Sequence, residues 1–141
     1  MTITMNEPQS SVAQPATATT PAVKRLSLKD ISQLGYLQKT KEVYAGAVVT
    51  LQTLSISRQQ KILSHLPADI MDPVVKFTHL QVETLANATL SINDEKYTEN
   101  DVDRLREFYG GLQGKVLQEF FAVYQELVDE QDITLTGLKK T

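Results

Sequence analysis

The sequence contains no cysteine at all. That absence excludes disulfides, thiolate metal sites and a cysteine nucleophile in one step, and it makes the protein indifferent to the redox state of its compartment. Histidine is scarce, with two residues, and basic residues are outnumbered by acidic ones, 14 against 17, for a formal charge of −3. Affinity for a phosphate backbone comes largely from clustered Lys and Arg, so the balance argues against a dedicated nucleic-acid binder. Long apolar runs are missing too: none approaches the roughly 18 residues that a membrane-spanning helix needs. The N-terminus, MTITMNEPQS, lacks a basic start followed by an apolar stretch, so a soluble protein made without a signal peptide is expected, with no membrane partner.

What the chain has is enough apolar content for one core. At 141 residues with 41% hydrophobic, a single domain is expected. Residues 1–24 hold Thr, Ser, Ala, Pro and Gln without apolar periodicity, which predicts a disordered tail. The folded part is expected over residues 25–131. Ser27 can cap a short helix with Asp30 in the capping-box position and Gly35 as its stop, leaving Leu28, Ile31 and Leu34 on one face. Residues 41–54 (KEVYAGAVVTLQTL) are rich in β-branched residues, and Val49, Leu51 and Thr53 alternate with Val48, Thr50 and Gln52. With Ala45-Gly46 between two extended pieces, this predicts a β-hairpin.

Helical signals follow. Ser57 and Gln60 form a capping box before residues 58–66, and Pro67 closes that helix. Asp72-Pro73 opens a longer one, expected to run to Ile92 with Phe77, Leu80, Leu85, Ala88 and Ile92 along a buried stripe. Asn93-Asp94 makes a turn, and Asn100 caps a helix carrying Val102, Leu105, Phe108 and Tyr109. Gly110-Gly111 breaks the chain before the clearest periodicity of all, from Lys115 to Asp129. Residues 132–141 read as a flexible polar tail. The expected fold is therefore mainly α: a small helical domain of about five helices with a short β-hairpin near its N-terminal side, preceded by a disordered tail.

Candidate chemistry fails on spacing. His65 and His79 lie on different predicted helices, each without a second histidine at i+3 or i+4, and Asp69 follows His65 only across Pro67. The acidic stretch 93–101 (NDEKYTEND) lacks the alternating order, central glycine and terminal Glu of a calcium loop. Gly110, Gly111, Gly114 and Lys115 resemble a phosphate cradle in composition only: GxxxxGK[ST] needs Gly at 109 and Ser or Thr at 116, where Tyr109 and Val116 stand. With no Gly-x-Ser-x-Gly and two isolated histidines, nothing activates a serine. No enzyme activity, metal or cofactor is expected. The last helix, by contrast, is apolar over more than one face, so it is either central to the core or pairs with another chain. Phe120, Phe121, Val123, Tyr124 and Leu127 are the candidate partner-binding residues.

Three stretches carry a family likeness: an extended segment entering a helix, residues 48–55 (VVTLQTLS); a helix end, 85–94 (LANATLSIND); and the closing helix, 116–127 (VLQEFFAVYQEL). In order and apolar pattern, across about residues 28–130, they resemble small accessory proteins of bacteriophage tail and baseplate modules, in particular tail assembly chaperones. The resemblance implies a non-enzymatic protein of the host cytoplasm. Such a protein binds the tape-measure or another tail protein during assembly, keeps it soluble until the tail tube forms, and admits self-association as a homo-oligomer. Two other roles fit the same residues: a structural tail or baseplate component retained in the virion, and a host-directed regulatory binding protein.

Overall fold

A computed structural model describes residues 25–139; the expected disordered tail, residues 1–24, lies outside them. The chain divides into two units, Met1–Leu34 and Gly35–Thr141. In the first, helix α1 (Leu28–Ser32) starts as the sequence predicts. The Ser27 hydroxyl accepts from the Asp30 amide at 3.1 Å and the Asp30 carboxylate accepts from the Ser27 amide at 3.3 Å. Asp thus closes a capping box usually closed by Glu or Gln. The expected apolar face is present but not buried, with Leu28 87%, Ile31 50% and Leu34 45% exposed.

The second unit runs β1 (Gln38–Tyr44), β2 (Ala47–Gln52), α2 (Ile56–Ser64), α3 (Pro73–Ala88), β3 (Thr89–Ile92), β4 (Glu95–Lys96), a 3-10 turn (Glu99–Asp101), α4 (Val102–Gly110) and α5 (Gly114–Leu138). The four strands form one antiparallel sheet in the order β1-β2-β3-β4. The mainly α expectation is therefore corrected to mixed α/β, with 58% helix and 17% strand among the described residues. Five helices and the hairpin around Gly46, at φ 82°, do occur. What the helical reading missed is that the expected long helix stops at Ala88. Its last residues leave helical geometry at Thr89, at φ −76° and ψ 122°, and enter the sheet beside β2.

The inner face of β2 follows the expected alternation, with Val49 and Leu51 fully buried and Thr53 nearly so. Against it pack the second half of α3 (Leu85, Ala86, Ala88), Leu105 and Tyr109 of α4, and Leu117, Phe120, Val123 and Leu127 of α5. Spacings of three, three and four residues along α5 keep the last four on one face. Capping details differ from expectation. Ser55, not Ser57, caps α2 by accepting from the Arg58 amide at 3.2 Å, and Thr98, not Asn100, caps the turn leading into α4.

The expected flexible tail at 132–141 is also corrected: α5 continues to Leu138, and only residues 140–141 lie outside the described part. Tertiary contacts hold this polar stretch in place. The Gln131 side chain donates to the Gly35 carbonyl at 2.8 Å, and Leu135 lies against Gly35. Thr53 donates to the same carbonyl at 3.1 Å. On the adjoining strand Lys39 and Lys41 reach Glu130 and Glu126 of α5 at 2.6 and 2.8 Å, and the Glu130 hydrogen bond holds the Lys39 ammonium above its ordinary pKa.

Gly35 sits at φ +80°, where a Cβ would meet both Leu135 methyl carbons at 3.2 Å. Left-handed geometry and a close neighbour act together there. Gly35→Ala is expected to lower the unfolding free energy by about 1–2 kcal/mol, read from urea denaturation; an unchanged midpoint would refute the account.

Candidate interaction site

Helix α3 is divided along its length. Asp72 accepts from the Val74 amide at 2.9 Å and Pro73 occupies the first turn, a start that needs no tertiary support. From Gln81 onward nearly every residue is buried, yet each residue from Pro73 to His79 is exposed. The exposed half is not polar. Val74 is 73% and Phe77 50% exposed, and the preceding Met71 is 85% exposed.

Helix α5 runs beside it with two adjacent apolar stripes. One, already described, enters the core. The other consists of Phe121, Tyr124 and Val128, all half-buried. Between this second stripe, α2 and α3 lies an open groove in two stretches that share Phe121 and Tyr124. The first, of about 290 Å³, is walled by Leu54, Ile62, Leu63 and Leu80, with Gln59 and Thr84 as its polar members. The second, of about 610 Å³, continues past Phe77 and Val128 to Gln125 and Asp129. Phe77 and Phe121 meet edge to face with centroids 6.1 Å apart, and Phe121 and Tyr124 lie 5.9 Å apart. The edge-to-face contact of Phe77 and Phe121 is a favoured aromatic geometry, and the rim of the groove faces water. Burial pushes the Tyr124 hydroxyl above its ordinary pKa, which keeps the floor neutral.

No family model, curated protein or solved structure matches this chain. The groove is therefore interpreted from its own chemistry. Of the five candidate partner-binding residues, the structure brings only Phe121 and Tyr124 to it. Phe120, Val123 and Leu127 are 4%, 2% and 0% exposed and belong to the core, unable to touch a partner while the fold is closed. Sequence reasoning missed Phe77 and Leu80, which it placed on a buried stripe, and Leu63 and Val128. One signal was available. Val74, Phe77 and Leu80 follow one another at three-residue spacing in the first half of α3, where Met71 adds apolar surface that a single small core cannot absorb.

Charged side chains gather elsewhere. A 160 Å³ recess is lined by Arg58, Lys61, His65 and Arg106, but also by Glu99 and Asp103. Its guanidiniums are committed: Arg58 to the Asn87 carbonyl at 3.1 Å and to Glu99 at 3.5 Å, Arg106 to Glu83 and Asp103. Such a recess offers little net field to an anion. His65 and His79 are exposed on separate helices. Among the described residues no three His, Cys, Asp or Glu side chains stand close enough to hold a metal ion, and no helix is long and apolar enough to cross a membrane.

Proposed function

We propose that this chain is a non-enzymatic assembly chaperone whose groove between α3 and α5 receives an apolar helix of a bacteriophage tail protein, such as the tape-measure protein, in the host cytoplasm. The observation that carries this reading is the exposed aromatic groove itself, with Phe77 half exposed and Phe121 and Tyr124 half-buried. A soluble protein seldom leaves a contiguous apolar groove of aromatic rings in water without using it for contact. Its shape suits a helix, because two apolar stripes on neighbouring helices offer a third helix a ready seam. A chaperone must let go, and a half-open groove supports release better than a closed core would.

Phe121→Asp is the direct test. The substitution leaves the Phe120 stripe in place and is expected to lower unfolding free energy by only about 1–2 kcal/mol, the loss of one half-buried ring. Capture of the co-expressed tail protein is expected to fall at least tenfold. Retained capture in a folded variant would remove the groove from the account. Finding the protein at fixed stoichiometry in purified particles would instead support a structural component of the virion.

A further inference from the structure

The same molecule presents both halves of a contact. In the first unit α1 offers three aliphatic side chains, Leu28, Ile31 and Leu34, all exposed and spaced three residues apart. The spacing is continued past the helix by an amide of Leu34 that donates to the Ile31 carbonyl at 3.1 Å. In the second unit the groove of α3 and α5 is open, apolar and unfilled.

We propose that, in the resting protein, α1 of a second copy occupies this groove, each copy capping the other until a client helix displaces it. The inference rests on the reading of the groove as a helix seat. Dimensions match: four rises of about 1.5 Å along α1 and two of about 2 Å through the turn that follows carry Leu28 to Leu34 across about 10 Å, and seven rises of about 1.5 Å carry Phe121 to Val128 across about 10 Å. Charge matches as well. Asp129 is the one charged residue on either stretch of the groove and, among the described residues, forms none of the ion pairs. The α1 segment carries Arg25 and Lys29 against Asp30, whose carboxylate is already engaged with the Ser27 amide. A segment with a net charge of one positive unit thus meets a groove end that carries one carboxylate. Reciprocal exchange is favoured over a single insertion because a two-fold arrangement fills two grooves at once and closes without forming a fibre.

The absence of cysteine makes the test clean. Ile31→Cys and Val128→Cys are introduced in separate full-length chains, mixed, and treated with a short bis-maleimide. A covalent heterodimer carrying one of each is expected, and sedimentation of the unmodified protein should show a dimer at micromolar concentration. Leu28→Asp, at a fully solvated position, should weaken self-association at least tenfold without changing the melting temperature. A protein that stays monomeric up to 200 micromolar (an upper bound of about that size covers weak exchange) overturns the proposal. So does a crosslink formed only within one chain carrying both substitutions, or only between two Ile31→Cys chains. Client capture by the unsubstituted protein separates the two readings. Capture without any dimer sinks the self-capping and keeps the chaperone, while a crosslinked dimer that never captures a tail protein does the reverse.

Discussion

Arg106→Ala is expected to lower the unfolding free energy by about 3 kcal/mol, the low end of what breaking a buried ion pair costs. The reason is the position of Glu83. Its side chain is 7% exposed in the middle of α3, and the Arg106 side chain that reaches it from α4 is 28% exposed. The guanidinium forks onto both carboxylate oxygens, Nε donating to one and Nη2 to the other at 3.1 Å, while Nη1 donates to Asp103 on its own helix. The Glu83 hydrogen bond raises the Arg106 pKa, so the guanidinium keeps its charge. Removing the cation leaves a buried carboxylate without its ion-pair partner. Replacing both partners, as Glu83→Leu with Arg106→Leu, should return stability to within about 1 kcal/mol of the parent, since a matched apolar pair avoids the desolvation that the ions suffer. Urea denaturation of the three variants decides it. A single substitution as mild as the double would mean that the pair is not holding α3 to α4.

That pair also marks the limit of what was legible beforehand. Glu83 occupies a helical position that sequence periodicity treats as solvent-facing, and only the approach of α4 makes it interior. Local signals fared better where the physics is local. Ser27 with Asp30, Asp72 with Pro73, the Ala45-Gly46 turn and the Gly110-Gly111 break all act through neighbours in the chain, and all stand where the spacing put them. The alternation of Val49, Leu51 and Thr53 likewise named the inner face of β2, because a period of two has one interpretation when β-branched residues carry it. The groove was half legible. The excess apolar surface of α5 was visible, but its division between core and groove depends on where α3 lies, and so the core residues Phe120, Val123 and Leu127 stood beside Phe121 and Tyr124 as candidates for contact.

The change from α3 to β3 is the most instructive loss. Leu85, Ala88 and Ile92 continue a helical stripe at three and four residues, so periodicity reads straight through the point where the helix ends. Nothing in residues 89–92 breaks a helix as glycine or proline would. Strand geometry wins there for two tertiary reasons: β2 offers an unpaired edge to Thr89, Ser91 and Ile92, and the Thr89 hydroxyl finds a partner on α4. It donates to the Leu85 carbonyl at 2.6 Å and meets the Tyr109 hydroxyl at 2.7 Å. A residue of α4 therefore holds the junction from 20 positions away.

Tyr109 is thus expected to be the most sensitive single position in the fold. It is fully buried and packs edge to face on Phe108 and Phe120, with centroids 5.0 and 5.7 Å away. Tyr109→Ala should lower unfolding free energy by about 4 kcal/mol, from lost ring burial and the cavity left behind. Tyr109→Phe keeps the packing and removes only the Thr89 hydrogen bond, for about 1 kcal/mol. The phenol adds a dependence on alkali. Burial pushes its pKa far above the ordinary tyrosine value, with the Thr89 hydrogen bond opposing the shift. Above about pH 10 an unfolded tyrosine loses its proton while Tyr109 in the fold keeps it, so the folded state binds more protons and stability falls as pH rises. Tyr97 and Tyr124 are shifted in the same direction by burial and contribute to the same fall, which Tyr109→Phe should make shallower without abolishing it. Urea midpoints measured between pH 8 and 11 (a window spanning about one unit above that pKa) test both points. Equal slopes for parent and variant would mean that the Tyr109 hydroxyl reaches water, and with it that the α3 to β3 junction is looser than its hydrogen bonds imply.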